Sequence, residues 1–152
     1  MSKDVDLDEV LVGIRLLQQS FDAFDEAAAA RLGLNRTDLR CLDIVLAAEP
    51  RPAGQLSAAL ELSPAATTTV IDRLERAGLV SRTRDPGDRR RVLVAPTDKA
   101  RAAEAEIFAP VGRAGAEALA RYGPAELAVI NDFLATARAV QRDQIDRVRT
   151  LS

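Results

Sequence analysis

The segment from residue 54 to Gly78 restricts the possible folds of this chain more than any other, because the end of one predicted helix and the start of the next lie only a few residues apart. Ser63-Pro64 predicts a helix start, since serine is favoured at the N-cap and proline at the first helical position. Gly78 predicts the end of that helix. A shorter helix is expected to precede it, at residues 54–60. The intervening turn of about three residues fits a helix-turn-helix.

A tight turn follows this motif directly. Asp85-Pro86-Gly87-Asp88 has proline and glycine at the second and third turn positions, which is the pattern of a type II turn. The flanking residues, 79–84 and 90–96, are predicted to form two strands. The sequence therefore predicts a β-hairpin immediately after the helix-turn-helix.

The N-terminal part of the chain shows helical periodicity. From Val5 onward, apolar residues recur about every 3.5 positions, which predicts a long amphipathic helix that Gly33 ends. Asn35 then opens a second helix, with Asp38 in a variant of the capping box. The prolines within residues 49–52 predict the end of that second helix.

The C-terminal part is helical as well. Thr97 caps a predicted helix that runs through Phe108, and Pro124 starts a last long amphipathic helix. A long terminal helix cannot bury a full apolar stripe on so small a body. We therefore expect both ends of the chain to pair with a second copy.

These elements define a fold class. It is mainly α with a small β-hairpin wing, that is, a winged helix-turn-helix domain flanked by long N- and C-terminal dimerisation helices. The expected division is residues 1–34 for the first dimerisation helix, 35–100 for the winged domain and 101–152 for the last dimerisation helices.

Composition argues against catalysis. The chain has no histidine, which removes the commonest general base and metal ligand, and it has no phosphate-binding glycine loop. We expect no enzymatic activity, no cofactor and no metal site. The acidic N-terminus does not resemble a signal peptide, and no apolar run approaches the ~20 residues of a membrane span, so a cytoplasmic protein is expected.

The single cysteine, Cys41, excludes an intramolecular disulfide. It lies beside Leu42 in an apolar helical pattern, whereas a redox sensor needs an exposed thiolate of low pKa. We expect a buried core cysteine.

Charge is unevenly distributed along the chain. The net charge is −2, yet residues 82–91 contain five arginines and two aspartates. Such a local basic patch can bind a polyanion even when the remaining surface is acidic.

The segment LSPAATTTVIDRLERAGLVSRTRDPGDRRRVLVAPTDKAR, residues 62–101, resembles the core of the MarR family of winged helix-turn-helix regulators. The matching features are the LS cap, the DRLERAGLV helix end, and a DPxDRR wing before an apolar strand and a threonine-capped helix. The resemblance implies a homodimeric transcriptional regulator, a repressor, that binds double-stranded DNA at a pseudo-palindromic operator. Two recognition helices would read successive major grooves, and each wing would reach the minor groove.

Within this resemblance, residues 64–77 form the recognition helix, with Val70 and Leu74 facing the core. Arg90 enters the minor groove, and Asp88 holds its guanidinium; alternation along the strand points Arg91 elsewhere. Arg73 is expected at a phosphate rather than a base. The complete set of expected DNA contacts is Arg36, Ser63, Ala65, Ala66, Thr68, Thr69, Arg73, Arg84, Asp88, Arg89 and Arg90.

The first two turns of this helix contain no Arg, Lys, Asn or Gln, the side chains that make bidentate base contacts. Threonine methyls meeting thymine, and the wing, would then carry more of the specificity. Alternatively, alanine and threonine simply keep this face small, and the wing is a solvated turn whose charges protect an edge strand.

Two further alternatives remain open. MarR proteins often bind small aromatic or phenolic effectors, and Phe21, Phe24 or Arg15 can line such a crevice or can be ordinary core and surface residues. A winged helix can also serve as a protein–protein module, with the basic wing docked on an acidic partner.

Overall fold

The computed structural model describes residues 6–47 and 50–151. The chain divides into two compact units, Met1–Phe108 and Ala109–Ser152, which are described separately. The expected class, mainly helical with a small antiparallel sheet, is confirmed.

Helix α1 is Leu7–Leu32, and it ends at Gly33, which adopts the predicted left-handed conformation with φ 67°. The predicted start at Val5 lies outside the described residues. Helix α2 is Arg36–Leu46, and the Asn35 side chain accepts a hydrogen bond from the backbone N–H of Asp38, as the cap pattern predicts. Local capping chemistry therefore sets both boundaries.

The helix-turn-helix consists of α3, Ala53–Leu60, and α4, Pro64–Arg76. Ser63 is the N-cap of α4 and Pro64 its first residue, as predicted. After α4 the chain turns at Gly78, whose φ of 73° suits glycine.

The sheet has one strand more than the predicted hairpin. Strands β2, Val80–Arg84, and β3, Val92–Pro96, pair antiparallel, and β1, Arg51–Pro52, adds to the other side of β3. The prolines near β1 predict only a helix stop. A strand is possible there because β1 is at the edge of the sheet, where a missing N–H costs no interior hydrogen bond.

Thr97 caps α5, Asp98–Ala103, which continues as a π-helical segment, Glu104–Phe108. The second unit contains α6, Ala109–Leu119, and α7, Pro124–Arg149, so the helix predicted to start at Pro124 is confirmed.

The core of the first unit joins α2, α3, α4 and the sheet. Its largest wholly buried side chains include those of Leu42, Leu56, Ile71, Leu74 and Leu79. Cys41 is also fully buried, as predicted. This core fixes the position of α4 and leaves its opposite face to solvent.

Candidate nucleic-acid interface

Helix α4 is held at its N-terminus by a small hydroxyl network. The Ser63 side chain accepts the backbone N–H of Ala66 at 3.1 Å. Thr67, which is buried, donates to the Ser63 carbonyl at 3.0 Å and accepts the Ser57 hydroxyl of α3 at 2.9 Å. The angle between α3 and α4 is thus fixed by hydrogen bonds as well as by packing.

The two faces of α4 divide as expected. Val70 and Leu74 are buried, which confirms their predicted core positions. Ala65, Thr68 and Thr69 are exposed and share one face, while Ala66 is half-buried. The exposed face is small, uncharged over its first two turns and open to a ligand.

Arg73 forms an internal ion pair with a buried carboxylate. Its Nε lies 2.9 Å from Asp38 Oδ2 and its Nη2 lies 2.6 Å from Oδ1, and the Asp38 side chain is 3 % exposed. These hydrogen bonds raise the pKa of Arg73. The guanidinium predicted to meet a phosphate therefore ties α4 to α2. The two residues stand 35 positions apart, so no local pattern reveals the pair.

Arg82 of β2 is likewise committed within the protein. It is half-buried, donates to Asp72 Oδ1 at 2.5 Å, and pairs with Glu75, both on α4. Desolvation lowers its pKa, but the two carboxylates outweigh that effect and raise the pKa overall. This three-residue group, the Arg82 clamp, joins the wing to α4 and neutralises Asp72 on the exposed face.

The wing tip is built differently from the prediction. Gly87 does not have the positive φ that a type II turn requires, so that turn assignment is wrong. Instead, the Asp85 side chain accepts the N–H of Gly87 at 2.9 Å, and the N–H of Arg91 reaches the Asp88 carbonyl at 2.9 Å. A side-chain bond at Asp85 and a backbone bond at Asp88 thus replace the predicted turn.

Asp88 also acts on Arg90 in an unexpected way. Its Oδ1 accepts the backbone N–H of Arg90 at 3.0 Å, and within the described residues the predicted pair between the two side chains is not formed. Asp88 therefore orients the Arg90 backbone and leaves the guanidinium in solvent.

The remaining wing arginines differ in their partners. Arg91 lies 3.9 Å from Asp85, a weak exposed contact. Arg84, Arg89 and Arg90 are exposed, and none has an ion-pair partner in the part of the chain that the structure describes. Three unpaired cations thus lie along one strand and turn.

Arg36, by contrast, has carboxylate partners within the protein. At the start of α2, it donates to Asp22 at 2.8 Å and lies 3.6 Å from Asp25, both on α1. The hydrogen bond to Asp22 raises its pKa. The predicted DNA contact of Arg36 stays a prediction, and in the free chain its charge is matched by aspartates.

A cavity of about 520 Å³ opens beside α2 in the first unit. Phe24 and Phe108 meet edge to face within its wall, with ring centroids 6.0 Å apart. Arg36 and Arg40 also line it, whereas Phe21 and Arg15 are not among its lining residues. Of the three residues considered from the sequence, only Phe24 lines the cavity.

Comparison with known proteins accords with this geometry. The model of the MarR family matches residues 34–92. YcgE of Bacillus subtilis (strain 168), named an uncharacterized HTH-type transcriptional regulator, is 36% identical over 126 residues, covering 83% of this chain and 82% of its own.

The chain belongs to the MarR family. MarR proteins are DNA-binding transcriptional regulators and not enzymes, and this chain is one of them. No helix within residues 6–47 and 50–151 combines the length and apolar character needed to cross a membrane.

Solved structures show the same fold. A MarR protein from Peptoclostridium difficile DA00132 is similar with a TM-score of 0.63 and 20% identity, covering 97% of each chain. The RV1404 protein of Mycobacterium tuberculosis reaches a TM-score of 0.68 at 21% identity, covering 91% of this chain and 97% of its own. These likenesses extend beyond the helix-turn-helix to nearly the whole chain.

Proposed function

We propose that this MarR protein is a cytoplasmic, homodimeric repressor that binds a pseudo-palindromic operator. Helix α4 would enter the major groove, and the wing would enter the adjacent minor groove. The observation that carries this proposal is the set of three unpaired, exposed arginines, Arg84, Arg89 and Arg90, joined through the Arg82 clamp to the exposed face of α4.

The arginines of the wing are proposed to contact different parts of the DNA. Asp88 fixes the Arg90 backbone and leaves its side chain exposed, which suits insertion into a narrow A·T-rich groove with strongly negative potential. Arg84 and Arg89 flank it and are proposed to contact phosphates. Ser63 is proposed to add a further phosphate contact at the start of α4.

Dimerisation is proposed from unpartnered apolar side chains at both ends of the chain. In α1 these are Leu7, Leu11, Leu16, Leu17 and Phe21, and in α7 they are Leu127, Phe133, Leu134, Val140, Ile145 and Val148. Water-exposed stripes of this length are covered most economically by a second copy. We assign residues 1–34 and 101–152 to this role and residues 35–100 to DNA binding.

The test is to measure duplex binding by fluorescence anisotropy at several salt concentrations. Arg90→Ala should weaken binding about tenfold on a site with A·T-rich flanks, and less on G·C-rich flanks, because the minor-groove potential is weaker there. Arg91→Ala is the matched control, since it removes the same charge from the neighbouring position, where Arg91 lies 3.9 Å from Asp85. Equal losses for the two variants on A·T-rich flanks would exclude the minor-groove role.

The same assay separates the alternative function. A protein–protein module would bind no duplex in the nanomolar to micromolar range even at low salt, whereas a DNA regulator binds and then loses affinity steeply as salt rises.

An effector site is proposed in the cavity beside α2. An aromatic ring fits against Phe24 and Phe108, and a carboxylate or phenolate can pair with Arg40, which donates only a 3.5 Å hydrogen bond to the Ala59 carbonyl in the described structure. Calorimetric titration with benzoate and phenol tests this. Arg40→Met should abolish benzoate binding and Arg31→Met, outside the cavity lining, should not; benzoate binding that survives Arg40→Met excludes the site.

A further inference from the structure

The hydroxyl protons on the exposed face of α4 are already used inside the helix. Thr68 Oγ1 donates to the Pro64 carbonyl at 3.0 Å, and Thr69 Oγ1 donates to the Ala65 carbonyl at 3.2 Å. A hydroxyl has one proton and two lone pairs, so each of these oxygens can still accept but has no proton left to give. The two exposed threonines therefore present hydrogen-bond acceptors and methyl groups to a ligand.

Ser63 presents the opposite chemistry at the end of the same helix. Its oxygen accepts the Ala66 N–H at 3.1 Å, and within the described residues its own proton has no acceptor. A free hydroxyl donor suits a phosphate oxygen, which only accepts. The helix thus places a donor at its N-cap and acceptors along its exposed face.

In the next turn of the helix the charged side chains are already paired within the protein. Asp72 lies three and four residues after Thr69 and Thr68 and contributes a carboxylate, which is held by Arg82. Arg73, four residues after Thr69, is held in its ion pair with Asp38. The next cationic side chain along the face is Arg76, about 10 Å along the axis from Thr69. In helix-turn-helix proteins the N-terminal residues of the recognition helix are those that meet base edges.

Base edges in the major groove differ in the hydrogen-bonding groups and methyl groups that they present to a protein. Guanine presents two acceptors, N7 and O6, which acceptor oxygens cannot satisfy. Adenine and cytosine each present an amino donor, N6 or N4, but only thymine, the partner of adenine, presents a C5 methyl group. One A·T pair therefore offers both a donor for a threonine oxygen and a methyl group for a threonine or alanine methyl.

Building on the proposed DNA binding, we infer that Ala65, Thr68 and Thr69 read A·T base pairs, through thymine methyl groups and adenine amino groups, and do not read guanine. This assigns specificity to a face whose first two turns lack every side chain used for bidentate base contacts.

The experiment uses the full chain and an operator selected from random duplexes. Each thymine is replaced in turn by deoxyuridine, which lacks the methyl group, and each adenine by a purine that lacks the 6-amino group. Matched variants separate the two contacts: Thr68→Ser and Thr69→Ser keep the oxygen and lose the methyl, whereas Thr68→Val and Thr69→Val keep the methyl and lose the oxygen. Both positions are exposed, and circular dichroism melting verifies that the four variants fold.

At the positions opposite α4, deoxyuridine should weaken the parent about fourfold per methyl group and should not weaken the serine variant that lacks the matching methyl. Removal of the amino group should weaken the parent and not the matching valine variant. Selected sites with guanine at these positions, or analogue effects that are unchanged in the variants, overturn the inference while leaving DNA binding intact. Failure to bind any duplex at low salt overturns the proposed function itself.

Discussion

At the residue scale, neighbours decide what each arginine of the segment 82–91 can do. Arg82 is paired with two carboxylates, Arg91 lies near one, and Arg84, Arg89 and Arg90 are unpaired among the described residues. The resemblance and the strand alternation already separate Arg90 from Arg91, but they do not reveal the carboxylate partners of Arg82. Their ranking depends on contacts across the fold, which local patterns do not contain.

This ranking predicts a difference in salt dependence. Because each phosphate contact releases about one counterion, Arg84→Ala and Arg89→Ala should each reduce the slope of log affinity against log salt by about 0.9. Arg91→Ala should leave the slope nearly unchanged. Anisotropy titrations from low to moderate salt measure these slopes, and identical slopes for all three variants would contradict the phosphate assignment.

Cys41 gives a second prediction at this scale. Desolvation, and to a smaller extent the charge of Asp38, raise the pKa of its thiol to about 11. Above pH 9 the unfolded chain loses this proton while the folded chain retains it, so folding stability should fall between about pH 9 and pH 11, by about 2 kcal/mol. Iodoacetamide should also react far more slowly with the folded protein than with free cysteine.

The matched control for this effect is Cys41→Ala. Tyrosine and lysine titrate in the same pH range in both proteins, so the difference between their urea-unfolding free energies isolates the thiol. A difference that is constant from pH 8 to pH 11, or alkylation as fast as that of free cysteine, would contradict burial of the thiol and reopen a redox role.

At the element scale, the pair between Asp38 and Arg73 fixes α4 against α2 and yields an asymmetric prediction. Arg73→Leu strands a buried carboxylate, whereas Asp38→Leu strands a guanidinium that water still reaches. Arg73→Leu should therefore lower Tm by about 5 °C or more, Asp38→Leu should lower it less, and the double variant should recover much of the loss. Calorimetric melting checks this order, and equal, additive losses would refute it.

The sequence predicted the helix boundaries well where they are set by local capping residues. Asn35, Ser63 and Thr97 start helices, and Gly33 ends one, because a cap depends on residues within one turn. It failed at strand β1, whose two residues exist as a strand only through pairing with β3. The wing turn was wrong for a related reason, since aspartate side chains bonded to the backbone displaced the geometry that Pro86-Gly87 favours.

At the scale of the whole molecule, the exposed apolar stripes predict that the folded protein exists mainly as a dimer. Leu134→Glu places a charge in the proposed α7 interface and should weaken dimerisation about a hundredfold, since each symmetric dimer contains the residue twice. Ala128→Glu, at an exposed position about 120° around the helix axis from Leu134, is the control and should have little effect. Sedimentation equilibrium measures both; a monomeric parent would remove the basis for two-fold operator symmetry.

The Arg82 clamp has a consequence for the DNA rather than for the protein. Because β2 is tied to α4 through Asp72 and Glu75, the wing and the recognition helix are held at a set separation. Within each half-site, the number of base pairs between the segment met by α4 and the flank met by Arg90 should then be invariant. Inserting a single base pair there should weaken binding as severely as deleting the flank, whereas changing the identity of the intervening bases should matter little.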